Sequence, residues 1–481
     1  MKRMARKGSG VVTVLFLVLP ACGGGAGDKN ATSESSAGFG GTSTSSAGAL
    51  ANGGGASGAS TLGGSTSGGT FGAAGTSNGG TATGGTSSAG AAAGGSAGRG
   101  SAGAGSAGGG SAGAPPMPPH MVGACDKLGS AGVLENITPA ALHFENWCNP
   151  GSDACKAPGA ISTYGAHGLA ADPNNAGTLY LGTHGMGFWK TTDCGSTWVK
   201  IDTGAHQKEI DSGRNWTIVI DPTDSKVIYT TPGYGDEGLY KSVNGGVDWQ
   251  QMFTADILPS LQYGGFIETI AMDPTNNKHL VVSFHIDCKN GPNGGDWACF
   301  AETPDAGATW KLIPAAQHWS EGDGQTLIDA KTWFFSNGAD GIWRTTNAGA
   351  KWDKVYSGKA SGHVFIGGDG KFYVAGQPMV QSTDGVTWKP LSGSPDGSSV
   401  NGSNPIASDG KTLFSSGGQY GGGEPANGWY ASAPLSDPSK WTPLFKPVTM
   451  SNGGSSIVYD SDHKVMYSAN LMAGLWRGRI E

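Results

Sequence analysis

The sequence predicts an all-β fold for residues 120–481, a seven-bladed β-propeller of four-stranded antiparallel blades whose last blade is closed by an N-terminal strand. Three observations predict it. A short turn motif recurs down the chain, short apolar and β-branched segments flank each copy, and the final unit is one strand short while a strand-like segment stands unassigned at the domain's start.

The turn motif reads hydroxyl, any residue, Asp or Asn, any residue, Gly, two more, Trp. It occurs at Thr191 to Trp198, Ser242 to Trp249, Thr303 to Trp310 and Thr345 to Trp352, one residue shorter at Ser382 to Trp388, and in worn form at Ser436 to Trp441. A short Asp or Asn side chain accepts hydrogen bonds from nearby backbone N–H groups, and Gly two residues on supplies a positive φ without steric cost. The Trp then begins the next strand and buries a large ring between sheets. The motif resembles the Asp-box (BNR) repeat of sialidase-like β-propellers, over roughly the last three quarters of the chain. That resemblance implies architecture; hydrolases, receptors and assembly factors share the repeat, so it does not fix the chemistry.

Residues 1–22 read as an export signal. Lys2, Arg3, Arg6 and Lys7 precede an apolar run, Val11 to Leu19, that is too short to span a bilayer. The run ends at Leu19-Pro20-Ala21-Cys22, which resembles a bacterial lipobox. The resemblance implies lipidation at Cys22, with Gly23 beside it pointing to the outer membrane or cell surface; several acyl chains would anchor stably where one would not. Residues 23–119 are Gly, Ser, Ala and Thr with almost no charge, so they cannot bury enough surface to offset chain entropy and are expected to be a disordered tether. Such a coil of about 95 residues has an r.m.s. reach of roughly 55 Å. A glycosylated stalk is the alternative.

In the remaining part, His167 to Pro173, Thr178 to Thr183 and Gly187 to Lys190 give three short strands before the first turn motif, and Trp198 opens a fourth. The unit recurs, placing blades at 160–202, 213–253, 265–313, 324–356, 360–391, 400–445 and 453–481, with Val133 to Pro139 supplying the strand that the last one lacks. Six of the 30 basic residues and two of the 37 acidic ones precede residue 120, which leaves 24 against 35 and a net charge of −11 for the domain. An acidic surface argues against nucleic acid and against anionic lipid, so the membrane is expected to be met only through the anchor. Six cysteines follow Cys22, an even number in an exported chain. Propeller geometry suggests Cys288 with Cys299, Cys148 with Cys155, and Cys125 with Cys194; free thiols are the alternative reading.

Strand polarity puts the Asp-bearing turns at one end of the ring and the long loops at the other. Aligning the inner strands on their Asp-Pro ends places His167, Trp216 and Glu268 in one register at the channel mouth, with His184 and His285 at the second-strand exits. Arg214, Trp319, Tyr420 and Trp429 join them as candidate ligand-binding residues, and Tyr234, Asp236 and Glu237 stand on a nearby loop. Two carboxyl groups flanking a glycosidic bond can act as acid and base or nucleophile, and rings stack on sugar faces. Glu268, on a rigid inner strand, is the first carboxylate candidate, with Glu321 and Asp323 as second members. The plain alternatives are solvated loop acids and loop tryptophans that pad the loops. His184 and His285 have no HxH or HExxH spacing, so no metal site is expected, and no nucleotide, haem or other cofactor motif is present.

A sialidase would need an arginine cluster, and the domain holds only Arg214, Arg344, Arg477 and Arg479. The Asp-Pro strand ends and Tyr-bearing second strands look more like the propellers of xyloglucan-hydrolysing enzymes. Those pair Asp residues across two tandem propellers, and this chain has length for one. The expectation is therefore a monomeric, surface-anchored propeller that binds an extracellular glycan or polysaccharide through its loop-rich end. Glycoside hydrolysis is the first alternative, and a protein-binding or assembly scaffold the second.

Overall fold

The computed structural model describes residues 117–481 apart from 254–256, 262–263, 286–287, 290–297, 315–316, 318, 320–323, 396–404 and 418–428. Cys22, Glu321, Asp323 and Tyr420 lie outside the described residues. No helix among the described residues is long and apolar enough to cross a membrane.

Alternating short strands and turns place seven four-stranded antiparallel sheets in sequence. Blade one runs from Ala166–Ala171 through Leu179–Thr183 and Phe188–Thr191 to Val199–Lys200. The next five sheets span residues 214–251, 267–313, 324–356, 360–390 and 406–443. Blade seven combines Ser456–Asp460, Val465–Ala469 and Leu475–Arg479 with Leu134–Asn136, which pairs antiparallel to the last strand with Glu135 opposite Arg477. The expected closure by an N-terminal strand is thus observed. Two short parallel pairs, Met121–Val122 with Asn175–Ala176 and Trp147–Cys148 with Ile161–Ser162, add to the sheets.

The core is not one mass but a set of seven clusters, each straddling one pair of neighbouring blades. Phe188 of blade one meets Trp249 of blade two, and Ala166 and Leu181 of blade one meet Tyr467 and Leu475 of blade seven. The last of these closes the ring. Each sheet therefore buries both faces, which explains strands such as Leu179–Thr183 and Val465–Ala469 that are buried at every position.

The recurring turns owe their shape to a fixed set of bonds. Gly195 N–H donates to Thr191 Oγ1 at 3.0 Å and Thr197 N–H to Asp193 Oδ1 at 2.8 Å, with the same arrangement at Thr303–Asp305–Gly307–Thr309. The residue before the glycine is also left-handed, at Cys194 (φ 60°), Ala306 (φ 60°) and Ala348 (φ 55°). The shorter copy has only Gly385 in that region (φ 69°), one residue fewer in the loop. The indole that follows packs on the preceding blade: Trp249 is 5.1 Å from the Phe188 ring, and Trp388 is 6.0 Å from Phe334.

Three cysteine pairs are bonded: Cys125 with Cys194, Cys148 with Cys155, and Cys288 with Cys299. The first ties the N-terminal segment to the turn of blade one, beside the seam with blade seven.

Candidate functional site

Inner strands begin at the end of the ring opposite the Asp-bearing turns. Among the described residues four of the seven break register there: between Ala166 and Gly168, Asn215 and Ile218, Ile267 and Thr269, and Ser361 and Phe365. A bulge leaves its residue out of the ladder and re-aims the side chain. The residues left out include His167, Trp216, Glu268 and His363, so the shared register read from the sequence coincides with a shared irregularity.

Arg214, at the start of its strand, is buried at the centre. Its Nε donates to His167 Nδ1 at 2.7 Å, and its guanidinium lies 4.7 Å from the Tyr164 ring centre and 4.4 Å from that of Trp216. Sandwiching a cation between two rings stabilises a charge that burial would otherwise penalise. His167 stacks on Trp216 at 5.6 Å and 22°. As an acceptor at Nδ1, its imidazole is neutral with the proton on Nε2. His184 is neutral as well: its Nδ1 accepts from Tyr164 N–H at 3.0 Å, and burial together with the Arg214 charge pushes its pKa down to about 4.

An aromatic wall continues across the next blade. Trp216, Tyr234, Phe266 and His285 contact one another, with Tyr234 and Phe266 at 4.8 Å and Phe266 and His285 at 4.7 Å. Gly233 allows this packing, since a Cβ there would lie 2.8 Å from the Phe266 ring. Tyr234 is 49% exposed and adopts a left-handed φ of 63°. Its backbone N–H is held by Glu237 Oε1 at 3.1 Å. Strain of this kind in a bulky residue concentrates at functional sites.

Glu268 is fully buried, with Oε2 3.3 Å from His285 Nδ1. A carboxylate so placed orients the imidazole and does not itself face solvent.

Of the sequence-predicted residues, His167, His184, Arg214, Trp216, Glu268 and His285 come together here. Two candidates need correction. Trp319 is 1% exposed, packed among Phe300, Phe335, Trp343 and Trp352 between blades three and four, and Trp429 is 3% exposed in the cluster between blades six and seven. Both seal blade interfaces instead of standing in the loops. Tyr164 and Phe266, adjacent to inner-strand starts, were not singled out from the sequence; their place one or two residues before a strand was the available signal.

A short helix, Gln207–Ser212, leads into Arg214 and is also unforeseen. Ile210 C=O accepts from Asn215 Nδ2 at 3.0 Å, and Asp211 meets the fully buried Asp202, with Lys200 Nζ 2.7 Å from Asp211 Oδ2 and 3.6 Å from Asp202 Oδ2. Burial, and then the hydrogen bond shared with Asp211, push the Asp202 carboxyl up to about 7. Its folded pKa lies above the unfolded one, so its stabilising contribution is complete at low pH and is lost as pH rises from about 4 toward 7. Urea midpoints measured from pH 4.5 to 7.5 are expected to carry this fall, and Asp211→Asn, whose amide can donate to an ionised Asp202, is expected to flatten it. Equal slopes in the two proteins would exclude a shared proton.

No family model matches the chain. Over 100 residues it is 35% identical to the xyloglucanase Xgh74A of Acetivibrio thermocellus, in an alignment covering 17% of this chain and 12% of that protein. The matched stretch is thus about an eighth of the relative's length. Among solved structures, the chain is similar to the GH74 xyloglucanase from Xanthomonas campestris, at 17% identity and a TM-score of 0.46 over 66% of this chain and 52% of that one. It is also similar to YCF48 bound to D1 peptide, at 13% identity and a TM-score of 0.46 over 67% of this chain and 95% of that one.

Proposed function

We propose that this protein is an exported, lipid-anchored Asp-box propeller that binds an extracellular glycan at the bulged, aromatic end of its ring. The observation that carries the reading is Tyr234: an exposed ring on a strained backbone, backed by Trp216 and Phe266, flanked by Tyr164, on which His184 packs in turn, and held by Glu237. Rings offer apolar faces to pyranose C–H groups, and the surrounding polar groups offer partners to hydroxyls. Three disulfides support an oxidising compartment, in keeping with the signal read at residues 1–22, lipidation of Cys22 and a tether over 23–119. The stretch shared with a xyloglucanase makes β-glucans the first ligands to try.

Hydrolysis is the second reading, favoured by that same stretch. It requires two accessible carboxyl groups. Glu268, buried against His285, supports a positioning role better than direct attack, and Glu321 and Asp323 remain candidates for the second group.

A polysaccharide panel assayed for both retention and reducing-end release separates the readings. Retention without product is the expected result, with Tyr234→Ala weakening affinity about tenfold, ~1.4 kcal/mol. Product release that disappears in Glu268→Gln would replace the binding reading with hydrolysis. Failure to retain any polysaccharide, with co-purification of one specific protein, would replace it with a scaffold.

A further inference from the structure

In blades two to five the indole after the turn is at most 9% exposed, sealed against the blade before it: Trp249, Trp310, Trp352 and Trp388. Blade one differs. Its neighbour is blade seven, whose outermost strand is the three-residue Leu134–Asn136, and beyond that strand the chain turns away through Pro139 into the 3-10 turn Ala140–Leu142. A cavity of about 480 Å³ opens on this flank, walled by Trp189, Trp198 and Ile137.

The polar part of the wall is rich in donors. Trp198 Nε1 is itself buried, so the indole offers the cavity its ring and not its N–H. Ser196 Oγ already accepts from Arg477 Nη1 at 3.2 Å, which leaves its O–H to donate. Lys127 and Arg477 are the charged residues among those lining the cavity, and no carboxylate lines it. Arg477 is fixed by Glu135 at 2.9 Å, by the carbonyl of Cys194 at 2.8 Å and by the carbonyl of Lys127. Lys127 is exposed. Glu135 compensates Arg477, so the exposed Lys127 is the cation left to meet a ligand in a lining that holds no carboxylate, and on a domain of net charge −11 this favours a negatively charged group. Its indole plates select for a ring with an apolar face.

We propose that this flank cavity is a second saccharide site, separate from the aromatic mouth, and that it takes a carboxylate-bearing sugar unit such as a uronate. Trp198 is the platform, Lys127 the counter-charge, and Ser196 a donor to the ring or carboxylate oxygens.

The test is calorimetric titration of the full chain with galacturonate oligomers, using galactose oligomers of equal length as the neutral control. Wild type should bind the acidic series at least tenfold more tightly than the neutral one, more weakly as salt rises. Lys127→Ala, a surface change that leaves the fold intact, should weaken uronate binding about fivefold, and Trp198→Ala should abolish it. Trp198→Phe should keep the fold and part of the affinity. Tyr234→Ala, which tests the mouth, should leave uronate binding unchanged. The proposal is overturned if wild type shows no uronate binding, if both series bind equally, or if Lys127→Ala and Trp198→Ala keep the binding, whether or not Tyr234→Ala removes it.

Discussion

Replacing Trp319 by alanine is expected to cost about 3–5 kcal/mol of stability and to leave binding at the channel mouth intact. The side chain lies 4.9 Å from Phe335, 5.5 Å from Trp352 and 5.6 Å from both Phe300 and Trp343, measured between ring centres. Deleting it leaves four aromatic groups around a void that a rigid sheet pair cannot close, so the cavity penalty adds to the lost transfer free energy. Trp319→Phe should recover more than half of the loss. Urea unfolding followed by far-UV circular dichroism measures both. A cost below about 0.5 kcal/mol, the range of an ordinary surface substitution, would return Trp319 to the loops as a binding residue.

The second large effect is expected at the ring's seam. The Cys125–Cys194 bond closes a loop with a sequence separation of 69, and constraining a chain of that length in the unfolded state is worth about 4 kcal/mol. Substituting both residues by serine should remove most of that. The loss should start locally, because the strand behind the bond has only three residues and depends on Arg477 bonding to Glu135 and to the carbonyl of Cys194. Hydrogen exchange should show the amides of Ile137 and Leu475, which pair across and beside this strand, losing protection before those of blade three. Uniform loss of protection around the ring would mean that the seam is no weaker than any other interface.

The ring was legible because its signals are local and repeated. An Asp side chain, a glycine and a tryptophan at fixed offsets describe a turn whose bonds all lie within eight residues, so each copy announces itself. The strand from Leu134 was legible for a different reason, the arithmetic of a unit that lacked one strand. The irregular parts were not legible. A bulge at His167 or Glu268 changes no composition, and left-handed Cys194, Ala306 and Ala348 carry no glycine to betray them. Shared register brought six candidate residues to one mouth. It could not separate a tryptophan standing above the strands from one sunk between them, because Trp319 and Trp429 each lie within a few residues of a strand and their burial is decided by partners on a neighbouring blade.

The covalent tie at Cys125 also defines a mechanical path. A pull transmitted through the residues before Cys125 meets first the parallel pairing of Met121–Val122 with Asn175–Ala176 and then the sulfur–sulfur bond into the blade-one turn, and bypasses the three hydrogen-bonded residues that complete blade seven. Load applied at the amino end is thereby taken up by a sheet packed against both neighbours, and the closing strand is spared from being unzipped.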